Sequence, residues 1–296
     1  MATGSDSVEV SSWEQVDLLS FTSPRAPDPA PPAPPAPLAP TVESLPEVNP
    51  QPQPEPESLL RFPRRLLIVD TETTGLDPSQ HQCIEVGAVL FDVPHRAVLS
   101  QISFLLPCND NPARGVNGID PAVSALPQPW RLALQCFEAM AESADALLAH
   151  NAAFDRQWFG RGPLPAIAKP WICSMEDLRW PPERQLRATP SVRDLALAYG
   201  VPVWAAHRAH TDCIYLAQVF ERCADLEALL QAALEPRRLY RARLSYEERH
   251  KAREAGFRWN EPISGAWSRR LSEREASLLS FPVVPVDDAP SVRRSA

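Results

Sequence analysis

Apolar residues gather in three short runs soon after residue 62: RRLLIVD from Arg64, CIEVGAVLFDV from Cys83 and RAVLSQISFLL from Arg96, separated by Gly, Pro, Asp and His. Runs of this length bounded by turn residues predict three strands in quick succession, a meander. The period then changes. PWRLALQCFEAMAESA, from Pro129, has helical spacing; DALLAHN from Asp145 predicts a short strand, and AAFDRQWF from Ala152 a second helix. KPWICSMEDL from Lys169 is a further strand candidate, and SVRDLALAYG opens on a Ser cap at Ser191 and closes on Gly200 as a helix should. Asp212 to Leu234 is helical again. The order βββαβα, followed by helices, predicts an α/β domain with a mixed sheet.

Beyond Pro236 the pattern restarts. SYEE at 245–248 and SERE at 272–275 have the Ser-x-x-Glu form of a capping box, and between them FRW and AWSRR are joined by NEPISG, a hairpin signal. The expected organisation is an arm over 1–62, a main domain over 63–225, a helical linker over 226–236, a small α+β helix–hairpin–helix module over 237–286 and a tail over 287–296.

Composition sharpens this division. Fourteen of the 34 prolines lie between Pro24 and Pro56, where no apolar period survives, so the arm is expected to be disordered and polyproline-like. The net charge of −8 is uneven: residues 1–63 carry nine acidic residues against Arg25 and Arg61, whereas Arg237–Glu275 holds eleven Arg or Lys against six Glu. An acidic arm and a basic C-terminal module are compatible with a nucleic-acid partner. The six cysteines form no CxxC pair and no zinc-ligand spacing, which fits a reduced compartment. No window approaches a membrane span, and MATGSDSVEVSSWEQ has neither a basic n-region nor an apolar core. A cytoplasmic location is expected.

The chemistry concentrates at the end of the first strand. LLIVDTETTGLD, Leu66–Asp77, places Asp70 and Glu72 two apart, hence on one face. Alone, such a pair also fits a strand that has ended with both side chains in water. The sharper reading is a site for Mg²⁺ or Mn²⁺, which take paired hard oxygen ligands. HNAAFD then sets Asp155 on the helix after Asn151, and HRAHTD offers His207 and Asp212. Five residues on a helix turn through about 500°, so His207 must sit on the loop ahead of the helix if it is to meet Asp212.

These three segments, DTETTGLD, HNAAFD and HRAHTD, resemble the motifs of the DEDDh family, the DnaQ-like 3′-to-5′ exonucleases that include the proofreading subunit of bacterial DNA polymerase III. The resemblance covers about residues 64–225, including GVNGIDPA at 115–122, where Asn117 stands in place of the family's usual His. It implies an RNase H-like mixed sheet flanked by helices and hydrolysis assisted by two Mg²⁺ or Mn²⁺ ions. Asp70 would bridge the two ions, Glu72 and Asp212 would complete one site, and Asp155 would serve the other. Two such ions, about 3.5–4 Å apart, generate a nucleophile and neutralise both oxygens of the displacement. His207 would accept the proton of the attacking water, a role suited to histidine's ordinary pKa of about 6.5. Thr73, Thr74 and Gly75 would meet the terminal nucleotide through backbone groups, Leu76 would pack under its base, and Asn151 would join the substrate-binding set.

The two ends carry weaker patterns. The C-terminal module resembles a small domain of unknown function, with Lys251, Ala252, Gly256, Arg258, Trp259 and Trp267 in register. Arginine interleaved with tryptophan suits nucleic acid, but in so small a unit Trp259 and Trp267 are expected to form the core. In the arm, QVDLL is similar to the peptide that binds bacterial sliding clamps, through Gln15, Leu18 and Leu19. The expected function is removal of nucleoside monophosphates from DNA 3′ ends in proofreading or repair, with a clamp or polymerase as partner. The alternatives are an RNA-trimming exoribonuclease and a non-catalytic adaptor between a clamp and nucleic acid.

Overall fold

The structure is a computed structural model that describes residues 62–204 and 207–286. The clamp-type peptide at Gln15–Leu19 and the tail at 287–296 lie outside the described residues.

A five-stranded sheet organises the main domain. Its strands are β1 (Arg65–Thr73), β2 (Cys83–Asp92), β3 (Ala97–Leu105), β4 (Ala146–Ala149) and β5 (Trp171–Cys173), in the order β3-β2-β1-β4-β5. The first three form the expected antiparallel meander, and β4 and β5 add parallel to β1. The helices are α1 (Arg114–Asn117), α2 (Pro121–Ser124), α3 (Trp130–Ser143), α4 (Ala152–Arg156), α5 (Val192–Ala198), α6 (Ala209–Glu221) and α7 (Leu226–Ala233). This is an RNase H-like mixed sheet flanked by helices. Ser191 caps α5 reciprocally with Asp194, as its sequence predicts.

The alternation of β1 divides the core. Leu66 and Ile68 face α5, α6 and α7, packing with Leu195, Phe220 and Leu226, while Leu67 and Val69 face the other side with Phe137, Met140 and Trp158. Because both faces are covered, β1 is apolar without a break until Asp70. Asp70 and Glu72 continue the Leu66–Ile68 series, and Thr71 continues the other.

The C-terminal module is a four-stranded antiparallel sheet, β7-β8-β6-β9, made of β6 (Arg237–Ala242), β7 (Arg258–Trp259), β8 (Trp267–Ser272) and β9 (Val283–Pro285), with α8 (Arg249–Glu254) and α9 (Glu273–Ser277). The expected hairpin is β7–β8, but two further strands widen it beyond a helix–hairpin–helix. Ser272 and Glu275 form the expected capping box, whereas Ser245 does not cap α8, whose N-cap is Glu248. Tyr240, Ala252, Phe257, Leu271 and Phe281 are the buried core. Trp259, expected there, is 56% exposed, because the phenylalanines already fill the interior. Arg237, its side chain nearly buried, joins the module to the main domain through Asp177, and Glu275 of α9 does so through Arg179.

Candidate active site

The site forms where β1 leaves the sheet, at the carboxyl ends of the parallel strands and beside the point where the sheet changes direction, a usual location for ligands. Asp70 pairs with Gly87 across the β1–β2 ladder, and Glu72 pairs with Glu85. The start of α6 lies directly on Gly87: a Cβ there would stand 2.3 Å from the His210 backbone nitrogen and 2.4 Å from the Ala209 carbonyl carbon. This close approach brings Asp212, in the first turn of α6, to Asp70. One ligand atom from each of Asp70, Glu72 and Asp212 lies within 4.8 Å of the others.

Among the described residues no Lys or Arg pairs directly with these three carboxylates, and Arg208 reaches Glu72 only through space. Burial, then Asp155, Asp212, Glu72 and Glu85, push Asp70 well above the usual carboxylate range. Burial, then Glu85 and its neighbours, raise Glu72 to about 8, and burial raises Asp212 to about 6 against the opposing pull of His207. The nearby guanidinium, Arg208, is engaged elsewhere: its Nε and Nη2 donate to the Glu85 carboxylate at 3.1 and 3.0 Å. Hard oxygen donors, crowded and uncompensated, fit a divalent cation.

Asp155 stands apart from the group of three. Its helix, α4, and the turn that follows pack Phe154 and Trp158 on the opposite face of the sheet, and its carboxylate accepts a 2.8 Å hydrogen bond from the Thr71 hydroxyl. It is 1% exposed and close enough to Asp70 to add to the charge there; burial raises its own pKa, and the Thr71 bonds oppose this. His207 lies ahead of α6, exposed and in a left-handed conformation with φ 58°. Its backbone N–H bonds the Asp212 carboxylate. Asn151, also left-handed at φ 70°, turns the chain from β4 into α4. Asparagine and histidine adopt this conformation more readily than most non-glycine residues.

The TTGL segment is pinned from below. The Asn117 amide donates to the Thr73 carbonyl at 3.0 Å, and the Thr73 hydroxyl donates to the Gly75 carbonyl at 2.7 Å. The Thr74 N–H is taken by the Gln82 carbonyl. Leu76 is 80% exposed, so a core role is excluded. His150 meets the Ser174 hydroxyl at 2.9 Å, and Cys213 is fully buried.

Sequence reasoning did not single out Glu85, Arg208 or Thr71. The available signal was Glu85 itself, an acid inside the apolar run CIEVGAVLF; it is 1% exposed and ties β2 to the residue that caps α6.

An RNase H-like sheet whose first strand ends in a cation-seeking carboxylate cluster defines a nuclease of the metal-dependent class. The family described as Exonuclease matches residues 67–220, and the chain belongs to it; its motifs make it a DEDDh, DnaQ-like member, a 3′-exonuclease hydrolase of a divalent-metal-dependent family. A domain of unknown function (DUF8626) matches residues 238–286. Among solved structures, the chain is similar to Exonuclease X in complex with 5′ overhanging duplex DNA, with 24% identity, 57% of this chain and 99% of that one covered, and a TM-score of 0.41. It is also similar to the nuclease domain of 3′hExo, a DEDDh family member, bound to rAMP: 15% identity, 58% and 96% coverage, TM-score 0.44. A third is E. coli Exonuclease I in complex with a dT13 oligonucleotide: 14% identity, 64% and 50% coverage, TM-score 0.46. Comparison with curated proteins gives no match.

Proposed function

We infer that the protein removes nucleoside monophosphates one at a time from the 3′ ends of DNA, in proofreading or repair, with Mg²⁺ or Mn²⁺ as cofactor. The observation that carries this reading is the Asp70–Glu72–Asp212 cluster, three carboxylates gathered at a strand end with the Arg208 guanidinium paired to Glu85. Asp70, Glu72 and Asp212 would hold one divalent ion, and Asp70 with Asp155 a second. When bound, such ions supply an activated water at neutral pH and neutralise charge on the attacking and leaving oxygens.

The chain's own groups do the rest. His207 accepts the proton of the attacking water on its imidazole, which its loop position ahead of α6 leaves free of the helix. Thr71 fixes the Asp155 carboxylate, and the Arg208–Glu85 pair fixes the turn that carries both His207 and Asp212. The exposed Leu76 offers an apolar surface for the terminal base, next in the chain to the backbone of Thr73–Gly75, and Asn151 would join the substrate-binding set.

The preference for DNA rests on the likeness of the motifs to the polymerase III proofreading subunit and on the clamp-type peptide at Gln15–Leu19. That peptide would tether the enzyme to a sliding clamp and raise its effective concentration at primer ends. The test is incubation with Mg²⁺ and matched DNA and RNA oligonucleotides labelled at the 5′ end. The expected result is a ladder shortening one nucleotide at a time, faster on DNA. Preferential shortening of RNA would reassign the substrate, and cleavage at internal positions would contradict the exonuclease reading.

A further inference from the structure

The C-terminal module carries a groove of about 640 Å³ that is remote in sequence from the catalytic motifs, lined by Arg241, Tyr246, Arg249, Trp259 and Trp267 among others. We propose that this groove binds single-stranded nucleic acid, stacking bases on Trp259 and Tyr246 and pairing their phosphates with Arg241 and Arg249. The proposal rests on the reading of the chain as a nucleic-acid exonuclease and gives its substrate strand a second contact.

Two aromatic rings here face solvent. Trp259 is 56% exposed and Tyr246 75% exposed, in a module whose core is complete without them. Trp259 pairs with Trp267 across β7 and β8, their ring centroids 5.7 Å apart and inclined by 54°. Trp267 packs against the module's core and so fixes the platform on which Trp259 stands. In the same groove the Arg249 guanidinium lies 3.6 Å from the centroid of the Tyr246 ring, and its Nη1 donates to the Tyr246 carbonyl at 2.6 Å. The groove therefore combines exposed aromatic rings with arginine, the features that let single strands bind with little regard to sequence.

Charge selects among occupants. The groove is lined by two arginines and no carboxylate. A nucleic-acid strand brings one negative charge per nucleotide to such a surface. A proline-rich peptide could also lie on aromatic rings, and this chain's sequence holds a proline-rich stretch, but its densest run, Pro24–Pro40, carries one Arg and one Asp and offers the arginines no net charge.

The test measures binding of the full-length protein to a fluorescein-labelled oligothymidylate by anisotropy, in EDTA so that no hydrolysis occurs. Trp259→Ala and Tyr246→Ala are each expected to weaken binding by about 5- to 100-fold, the range set by loss of one base–aromatic stack. Trp259→Phe should retain most of the affinity, and Arg249→Gln should flatten the salt dependence. Turnover of a dinucleotide should be unchanged in all of them, because none of these residues belongs to the catalytic set. Wild-type affinity in Trp259→Ala would overturn the proposal. So would a peptide spanning residues 24–40 that binds the wild type and loses that binding in Trp259→Ala while the oligonucleotide does not. Because the assay needs no catalysis, a chain that bound the strand through Trp259 but failed to hydrolyse it would count against the catalytic reading alone.

Discussion

A carboxylate whose pKa stands higher in the folded chain than in the unfolded one keeps its proton longer when folded. Glu72, raised to about 8, and Asp212, raised to about 6, are such groups, against roughly 4 in an unfolded chain. Between about pH 4 and pH 8 the folded chain binds more protons than the unfolded one, so these groups lower metal-free stability as pH rises through that window. A divalent cation binds the deprotonated carboxylates and reverses the penalty. The rise in Tm on adding Mg²⁺ is therefore expected to be larger at pH 8 than at pH 5, read by scanning fluorimetry. An increment that shrinks with pH would contradict a carboxylate site. At the same scale, His207→Ala should slow turnover by about 10²- to 10⁴-fold, the usual effect of losing a positioned general base, with oligonucleotide affinity nearly unchanged. A variant whose pH–rate profile keeps the same acidic limb would assign the proton to another group.

Secondary-structure elements bring these residues together, and their meeting depends on how closely α6 lies on β2. Gly87→Ala would push a methyl group into the Ala209–His210 backbone, which cannot give as a flexible side chain can. Overpacking of this kind costs about 1–3 kcal/mol, and here the displacement would carry Asp212 away from Asp70. Turnover should fall further than the stability loss alone explains, measured as kcat at a temperature where the variant is fully folded; full activity would show that α6 has room to move. This dependence explains what the sequence could disclose. Asp70 and Glu72 were legible because the two-residue period of a strand decides their shared face, and His207 because helical geometry excludes it from the face of Asp212. Asp155 was legible as an acid on α4, but its bond to Thr71 was not. That bond depends on which face of the sheet α4 covers, a matter of packing between distant segments. Glu85 and Arg208 are 123 residues apart, and only the folded ladder makes them partners. In the C-terminal module, β6 and β9 escaped for the same reason, since each finds its neighbours across long separations.

At the scale of the whole molecule, the fold tolerates repulsion in one place for the sake of chemistry. Asp70 is half-buried among four other acids, and a neutral amide of the same shape would relieve that repulsion. The account's central claim is that this cluster is a catalytic metal site rather than part of the framework. The measurement that tests it most directly is a comparison of wild type, Asp70→Asn and Asp212→Asn, each assayed for Mg²⁺-dependent release of mononucleotides and for its metal-free Tm at pH 8. Hydrolysis should be abolished in both variants while the metal-free Tm stays the same or rises, and Mg²⁺ should no longer raise it by the wild-type amount. Near wild-type turnover in either variant, or a lowered metal-free Tm accompanying the loss of activity, would contradict the claim.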